Sequence, residues 1–484
     1  MGASENIAFL NFSGLAPTPK GGGVREVLEP ATGRLLSTVG IANAADMAVA
    51  TRAAAAAQKA WVAVPPREKA EVFRRAGALF QQHFDELALY ATRETGGILP
   101  KGQHEIREAI TICHLAAAMP LQSQGHVLPS VPGRTSIARR VPHGVVGVIS
   151  PFNFPLILTI RAVAPALAAG NAVVIKPDSR TPVTGGLMIA RVFAEAGLPA
   201  GLLHVLPGDA EAGEALVTDP LVPMIAFTGS PAVGRRIGEL AGRHLKKVSL
   251  ELGGANSLLI LDDADLDIAA SNAAWGAYLH QGQICMASNR ILVQRSIAAE
   301  LTQRLVAKAT HLPVGDGASG QVALGPLIDA KQRDRVHAIV QDSIQAGAKL
   351  EAGGTFDGLF YKPTVLSGVK PGMRVFDEET FGPVANIIIF DTDAEAIALA
   401  NNNTGSLACA VISQSVGRAM AVGQQLKCGM VHINDQTVND DCVNPFGGPG
   451  IAGNGTSVGG PADWEEYTQW QWMTVKDTAP MYPF

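Results

Sequence analysis

Five apolar runs recur in the first half of the chain: VVGVIS (145–150), AVVIKP (172–177), LLHVLPG (202–208), MIAFTG (224–229) and VSLELGG (248–254). Helical stretches lie between them, namely RVFAEAGLPA (191–200), EAGEALV (211–217) and AVGRRIGEL (232–240). Strand-length runs that are apolar on both faces and alternate with helices predict an α/β fold with a parallel, helix-covered sheet. Working outward, an Ala-rich helix is expected over about residues 44–95, ending near ETGG, where a glycine suits the C-cap. A second α/β series starts at NSLLILDDAD (256–265) and runs through AAELTQRLVAKAT (298–310), ANIIIFD (385–391) and ACAVISQ (408–414). GRTSIARRVPHG (133–144) is polar and alternating, and reads as a ribbon leaving the first sheet. EEYTQWQWMTVKD (465–477) reads as an edge strand, and its tryptophans call for cover by another chain.

At 484 residues the chain exceeds what one hydrophobic core usually serves, so two or more domains are expected. A net charge of -5 and short basic clusters point away from nucleic acid and anionic membranes. The longest apolar runs are strand-sized, too short to span a bilayer. Five cysteines without close pairing argue against a disulfide framework, and no Cys/His spacing suggests zinc. The opening MGASENIAFLNFSG lacks a basic start and apolar core, so no secretory signal is expected and a cytoplasmic setting is.

Three contexts carry chemistry. Cys285 lies in HQGQICMASNR (280–290), Glu251 in SLELGGANS (249–257) and Asn153 in SPFNFP (150–155). Together they offer a nucleophilic thiol, a general base and an oxyanion donor, a set suited to aldehyde oxidation through a thioester. A cysteine taken alone is more often an inert buried hydrophobe. FTGSPAVGRRIG holds Gly229, Ser230 and Gly234 in a strand–turn–helix context where a pyrophosphate can approach bare backbone. Gly448, Gly450 and Gly453 match G-x-G-x-x-G but follow no strand, and read as a turn. Lys176 ends a buried strand, where ligands bind in open α/β sheets, and is read as a ribose contact.

These runs bring a family into view. SPFNFP, VVIKPD, FTGSPAVG, LELGGANS, GQICMASNR, LGPLID, EETFGPV and PFGG occur in one order over nearly the whole length. In them the chain resembles the NAD(P)-dependent aldehyde dehydrogenase superfamily. Within it, YLHQGQICMA, KPDSRTPVTGG, MVHINDQ, GGPADWEE and the closing MYPF are most similar to the benzaldehyde dehydrogenases. The resemblance implies NAD or NADP as cofactor, an aldehyde as substrate and a homodimer or homotetramer. It implies a Rossmann-like cofactor domain (1–124 and 143–251), an α/β catalytic domain (252–460) and a β-ribbon bridging segment (125–142 and 461–484). By the same resemblance Cys285 is the nucleophile, Glu251 the base and Asn153 the oxyanion donor. Lys176 meets the adenosine ribose, Gly229, Ser230 and Gly234 lie near the pyrophosphate, and Glu379 and Phe381 hold the nicotinamide riboside.

The chain departs from the family pattern at three places. Where many NAD-using relatives carry a ribose-binding Glu it has Ser179, with Asp178 beside it, which admits NADP while leaving NAD open. Phe152 stands where Trp is frequent, and Ser457 where many relatives have a Glu that helps relay a proton. Phe152, Phe154, Tyr278, Leu279 and Phe446 flank the motifs and suit a flat aromatic aldehyde, although each taken alone is equally expected in a core. Arg161 is read either as a surface residue or as facing a polar ring substituent. Acyl transfer to coenzyme A and a non-catalytic structural role are the competing readings; Glu251 argues against the first, and an intact Cys285, Glu251 and Asn153 against the second.

Overall fold

A computed structural model describes residue 9, residues 21–402 and residues 405–484. The N-terminal run read for a signal, and the start of the 1–124 segment, therefore lie largely outside the described residues. The five quoted runs form one five-stranded sheet, in the order Leu203–Val205, Ala172–Lys176, Val145–Ile149, Met224–Gly229, Lys247–Leu252. Every pairing in it is parallel. The chain starts in the middle, winds outward to one edge, then returns to build the other side. That reversal opens a crevice beyond the carboxyl ends of Val145–Ile149 and Met224–Gly229, the place where doubly wound sheets take ligands. Its rim carries SPFNFP, Lys176, Gly229 and Glu251.

A seven-stranded sheet holds the second series, in the order Lys349–Ala352, Thr364–Ser367, Val384–Phe390, Arg290–Gln294, Ser257–Ile260, Ser406–Ile412, Cys428–Ile433. Its outermost pairing, Lys349–Ala352 with Thr364–Ser367, is antiparallel, and the others are parallel. The ribbon is a three-stranded antiparallel sheet in which Thr135–Pro142 pairs with Gly125–Leu128 and Thr468–Val475. It carries exposed apolar groups, with Val127 79% and Trp472 66% accessible. Among the described residues no helix is long and apolar enough to cross a membrane.

One expectation needs correction. Residues 44–95 are not one helix but three, Ala44–Ala63, Pro66–Gln82 and Phe84–Thr95. Paired prolines at 65 and 66 break the first, because proline opens a helix but cannot continue one, and His83 separates the other two. The expected glycine stop is present, with Gly96 left-handed at φ 69°. The sequence reading also passed over the helix Pro155–Ala168, whose residues are all buried except Leu158. A helix buried all round shows no 3.6-residue stripe, and Pro165 inside it reads as a breaker.

That helix positions the site and is anchored from outside. Its first amides, Leu156 N and Ile157 N, donate to Glu105 Oε2 at 2.9 and 3.3 Å, and Glu105 Oε1 meets Lys101 Nζ at 2.5 Å. Both ion-pair partners are buried on the helix Leu99–Ala118. Removing one member strands the other's charge in the interior. Glu105→Ala is expected to lower unfolding free energy by about 3–5 kcal/mol, measured as a shifted urea midpoint.

Candidate active site

Cys285 is set by the chain just before it. After the helix Leu266–Tyr278, the turn Leu279–Gly282 places His280 (φ 46°) and Gln281 (φ 57°) in the left-handed region. That conformation is costly for residues with a Cβ, so the surroundings must enforce it. Gln281 Nε2 does so by donating to Gly96 O and Pro326 O at 2.8 and 2.7 Å. Gly282, also left-handed, is obligatory, because a Cβ there would lie 2.1 Å from Gly382 O. Two asparagines then clamp the loop. Asn256 Nδ2 donates to Cys285 O (2.7 Å) and Ala287 O (3.1 Å), while its Oδ1 accepts from Leu407 N and Ala408 N. Asn289 ties the same loop to the EETFGPV segment, donating to Val375 O and Glu378 O and accepting from Thr380 N. Both asparagines sit inside the quoted runs, yet nothing local distinguished them.

The Cys285 thiol is partly buried, and burial pushes it up, with Glu379, Asp440 and Glu251 adding in the same direction. It packs against an apolar cluster with Phe154, Leu279 and Phe446. Asn153 is buried at the mouth of the Pro155–Ala168 helix, its backbone beside the ring of His280. Burial holds that imidazole neutral, and it meets Phe154 edge-on at 5.2 Å.

Glu251 is the penultimate residue of the strand Lys247–Leu252 and is buried, with no hydrogen-bond partner in the protein for either carboxyl oxygen. Burial raises it well above the carboxylate range, while Arg161 pulls it down. Both residues line a cavity of about 20 Å³ together with Ser249, Phe446 and Tyr467. Arg161 is not a surface residue: it is 4% exposed, paired through both terminal nitrogens with Asp440 at 2.7 and 3.0 Å, and stacked over Phe446 at 5.0 Å. Asp440 belongs to no recognisable run and was missed.

The remaining expected residues separate into groups. Lys176 Nζ donates to Pro177 O and Gly208 O, and burial lowers its pKa. Asp178 faces Arg180 through both carboxylate oxygens, and this guanidinium, which also meets Asp329, overcomes burial and holds it below its usual value. Ser179 is half-buried between them. Ser230 caps the helix Pro231–Arg243 by accepting from Val233 N, Gly229 ends the preceding strand, and a Cβ on Gly234 would strike Leu252 at 2.5 Å. Glu379 is pushed up to about 8 by burial, and its Oε1 has no partner. Phe381 is left-handed (φ 53°) and meets Phe152 edge-on at 5.7 Å, with Arg180 over the Phe152 ring at 4.0 Å. Phe152 thus packs with Phe381 and Arg180, whereas Phe154, Leu279 and Phe446 gather at Cys285. Tyr278 belongs to the core of the second sheet, its hydroxyl donating to Thr364 O. Gly448, Gly450 and Gly453 form a turn, and Gly453 bridges to Glu251.

Comparison with known proteins matches residues 18–473 to the aldehyde dehydrogenase family. A vanillin dehydrogenase of Amycolatopsis sp. is 53% identical over 96% of this chain and 96% of its own. A benzaldehyde dehydrogenase [NAD(+)] of Pseudomonas putida is 49% identical over 96% and 95%. The crystal structure of a salicylaldehyde dehydrogenase from Pseudomonas putida G7, complexed with salicylaldehyde, superposes with a TM-score of 0.93 at 33% identity, covering 97% of this chain and 98% of that one.

Proposed function

The chain belongs to the aldehyde dehydrogenase family, and from that premise we propose that it oxidises an aromatic aldehyde to the carboxylic acid with NAD or NADP. The observation that carries this reading is the convergence of a clamped thiol, a buried partnerless carboxylate and an apolar aromatic wall. Relatives that act on vanillin, benzaldehyde and salicylaldehyde support the aromatic assignment.

In this reading Cys285 loses its S–H proton to solvent, and the thiolate Sγ adds to the carbonyl carbon. Negative charge develops on the carbonyl oxygen, and the Asn153 carboxamide with the Cys285 backbone N–H take it up. A donor in that role is typically worth about 3–4 kcal/mol. A bound nicotinamide would supply the hydride acceptor, and loss of that hydride leaves a thioester on Cys285. Glu251 then takes a proton from the water that attacks the thioester, and the thiolate leaves. Phe154, Leu279 and Phe446 flank the ring of the aldehyde, with Arg161 and Asp440 at its polar margin. Phe152 and Tyr278 support the site from outside that wall.

A dinucleotide fits the crevice. Glu379 offers a buried oxygen without a protein partner, suited to ribose hydroxyls. Phe381 would flank the nicotinamide riboside, and Gly229, Ser230 and Gly234, at the start of a helix, would meet the pyrophosphate. Lys176 would meet the adenosine ribose. Asp178 is committed to Arg180, so no free carboxylate stands at Ser179, which supports use of NADP beside NAD. The first sheet with residues 1–124 and 143–251 forms the cofactor domain in this reading, and residues 252–460 the catalytic domain. The ribbon, 125–142 and 461–484, joins subunits as a dimer or tetramer through its exposed Val127 and Trp472.

The test is kcat/KM over a panel of aromatic and aliphatic aldehydes with each cofactor. Aromatic substrates are expected to lead by at least about tenfold, or about 1.4 kcal/mol in transition-state binding. Acid is expected without added coenzyme A. A preference for hexanal overturns the aromatic assignment.

A further inference from the structure

Beside the crevice a charged bridge joins elements of the two sheets, and no step above uses it. Arg180 lies in the loop that leaves the strand Ala172–Lys176, just after Asp178 and Ser179. Its Nε and Nη2 donate to the two Asp178 carboxylate oxygens at 2.9 and 2.8 Å. Its Nη1 reaches Asp329 Oδ2 at 3.0 Å, 149 residues further along the chain. A planar guanidinium can hold two carboxylates in fixed directions, which a lysine ammonium does not do. The same guanidinium lies 4.0 Å from the centre of the Phe152 ring, and Phe152 meets Phe381 edge-on.

Asp329 is a junction. Its Oδ1 caps the helix Ala330–Gln345 by accepting from Gln332 N at 2.7 Å. That helix packs into the core of the second sheet through Val336, Ile339 and Val340. Two of its side chains hold the EETFGPV segment by the backbone. Gln332 Nε2 donates to Phe381 O, and Arg335 donates to Thr380 O and Glu379 O. Next to Asp329 in the chain, Ile328 N donates to Gln283 Oε1, two residues before Cys285. The Arg180–Asp329 contact therefore ties the Lys176 loop of the first sheet to the elements that carry Glu379, Phe381 and Cys285. Its side chains are 36% and 33% exposed, so the pair adds little to global stability. What it fixes is the placement of one side of the crevice against the other.

We propose that Arg180 and Asp329 bridge the crevice and hold the nicotinamide half of a bound dinucleotide in register with Cys285. This rests on the chain binding NAD or NADP through the residues named above. Arg180 anchors the adenosine-side loop through Asp178, and Asp329 passes that placement to Glu379 and Phe381 through its helix. Breaking the bridge leaves each side intact and frees one against the other. A ligand that spans both sides then loses affinity, whereas one confined to the adenosine side keeps it. Both are positioning residues, and neither meets the reacting atoms.

The experiment is equilibrium binding to the full-length Asp329→Asn protein, read by quenching of protein fluorescence, with NAD compared against AMP and NADP against 2′,5′-ADP. Asparagine caps a helix about as well as aspartate does, but turns an amide nitrogen instead of a carboxylate oxygen toward the guanidinium. The expected result is a dinucleotide Kd raised by about fivefold, the upper end for a partly exposed ion pair, with the Kd of the matching adenosine ligand unchanged within about twofold. Arg180→Lys, which cannot fork between Asp178 and Asp329, is expected to show the same split, and the double variant no greater loss than either one. Unchanged dinucleotide binding, equal weakening of dinucleotide and adenosine ligand, or losses that add in the double variant overturn the proposal. Should Asp329→Asn not fold, Arg180→Lys is read by the same split. If the wild type binds neither NAD nor NADP, the cofactor reading fails first. If it binds a dinucleotide and both variants bind it equally well, the bridge fails and the cofactor reading survives.

Discussion

Cys285→Ala is expected to lose turnover by a factor on the order of 10⁵ or more, the scale seen when a covalent nucleophile is deleted, while still binding cofactor. The effect should be this large because no other group in the apolar cluster offers a replacement nucleophile. The loop should keep its shape, because Asn256 holds the backbone carbonyls of residues 285 and 287 rather than the sulfur. A cofactor titration by quenching of protein fluorescence, beside an assay of cofactor reduction, separates loss of chemistry from loss of binding. Wild-type-like turnover by this variant would end the thioester reading. The protein's own groups also constrain the resting thiol. Burial, Glu379, Asp440 and Glu251 all raise its pKa, so below that raised value the sulfur keeps its proton. Iodoacetamide is therefore expected to alkylate Cys285 slowly at neutral pH and faster as pH rises. Rapid alkylation already at pH 6 would contradict that electrostatic account.

Much of this site is legible in the sequence because its chemistry sits at strand ends. The runs VVGVIS, AVVIKP, MIAFTG and VSLELGG each carry a candidate residue at or just beyond the strand's carboxyl end, and parallel strands bring those ends to one edge of the sheet. What escaped reading depends on partners distant in the chain. Arg161 reads as a stray cation until Asp440 is found against it, 279 residues away. The helix Pro155–Ala168 escaped because burial on every side removes the stripe that marks a surface helix. Asn256 and Asn289 were quoted without a role, since a carboxamide's value as a clamp lies in the carbonyls that folding delivers to it. Phe152 and Phe154 show the same limit at close range. They are two residues apart in a turn, and one meets Phe381 while the other meets His280. Tyr278 precedes the catalytic turn, yet its hydroxyl bonds to Thr364 O, within the second sheet.

Glu251→Gln is expected to release about one equivalent of reduced cofactor per subunit and then stall, with the steady rate falling about 10³-fold, within the range for losing a general base. Glutamine preserves the shape of the side chain and its place in the cavity but cannot accept the proton. Hydride loss, which precedes hydrolysis, is untouched. Mass spectrometry of the stalled enzyme should then show the acyl group on Cys285. The substitution should not destabilise the fold. The Glu251 carboxyl makes no hydrogen bond within the protein, so an uncharged amide removes the desolvation cost of a carboxylate and forfeits only the attraction of Arg161. The same burial fixes the pH dependence in the wild type. A carboxyl raised well above its ordinary value stays protonated at low pH and becomes a base only as pH climbs through the raised value. Hydrolysis should accordingly accelerate with pH above the usual carboxylate range, and the Gln variant should lose that dependence. Arg161 is the charge that pulls the Glu251 pKa down, so disrupting the Arg161–Asp440 pair should move the profile. Replacing Asp440 with Asn keeps Arg161 but leaves its charge uncompensated, so Glu251 should ionise at lower pH and the hydrolytic limb should shift toward acid. A shift toward base, or none, would mean that Arg161 does not act on Glu251 through its charge.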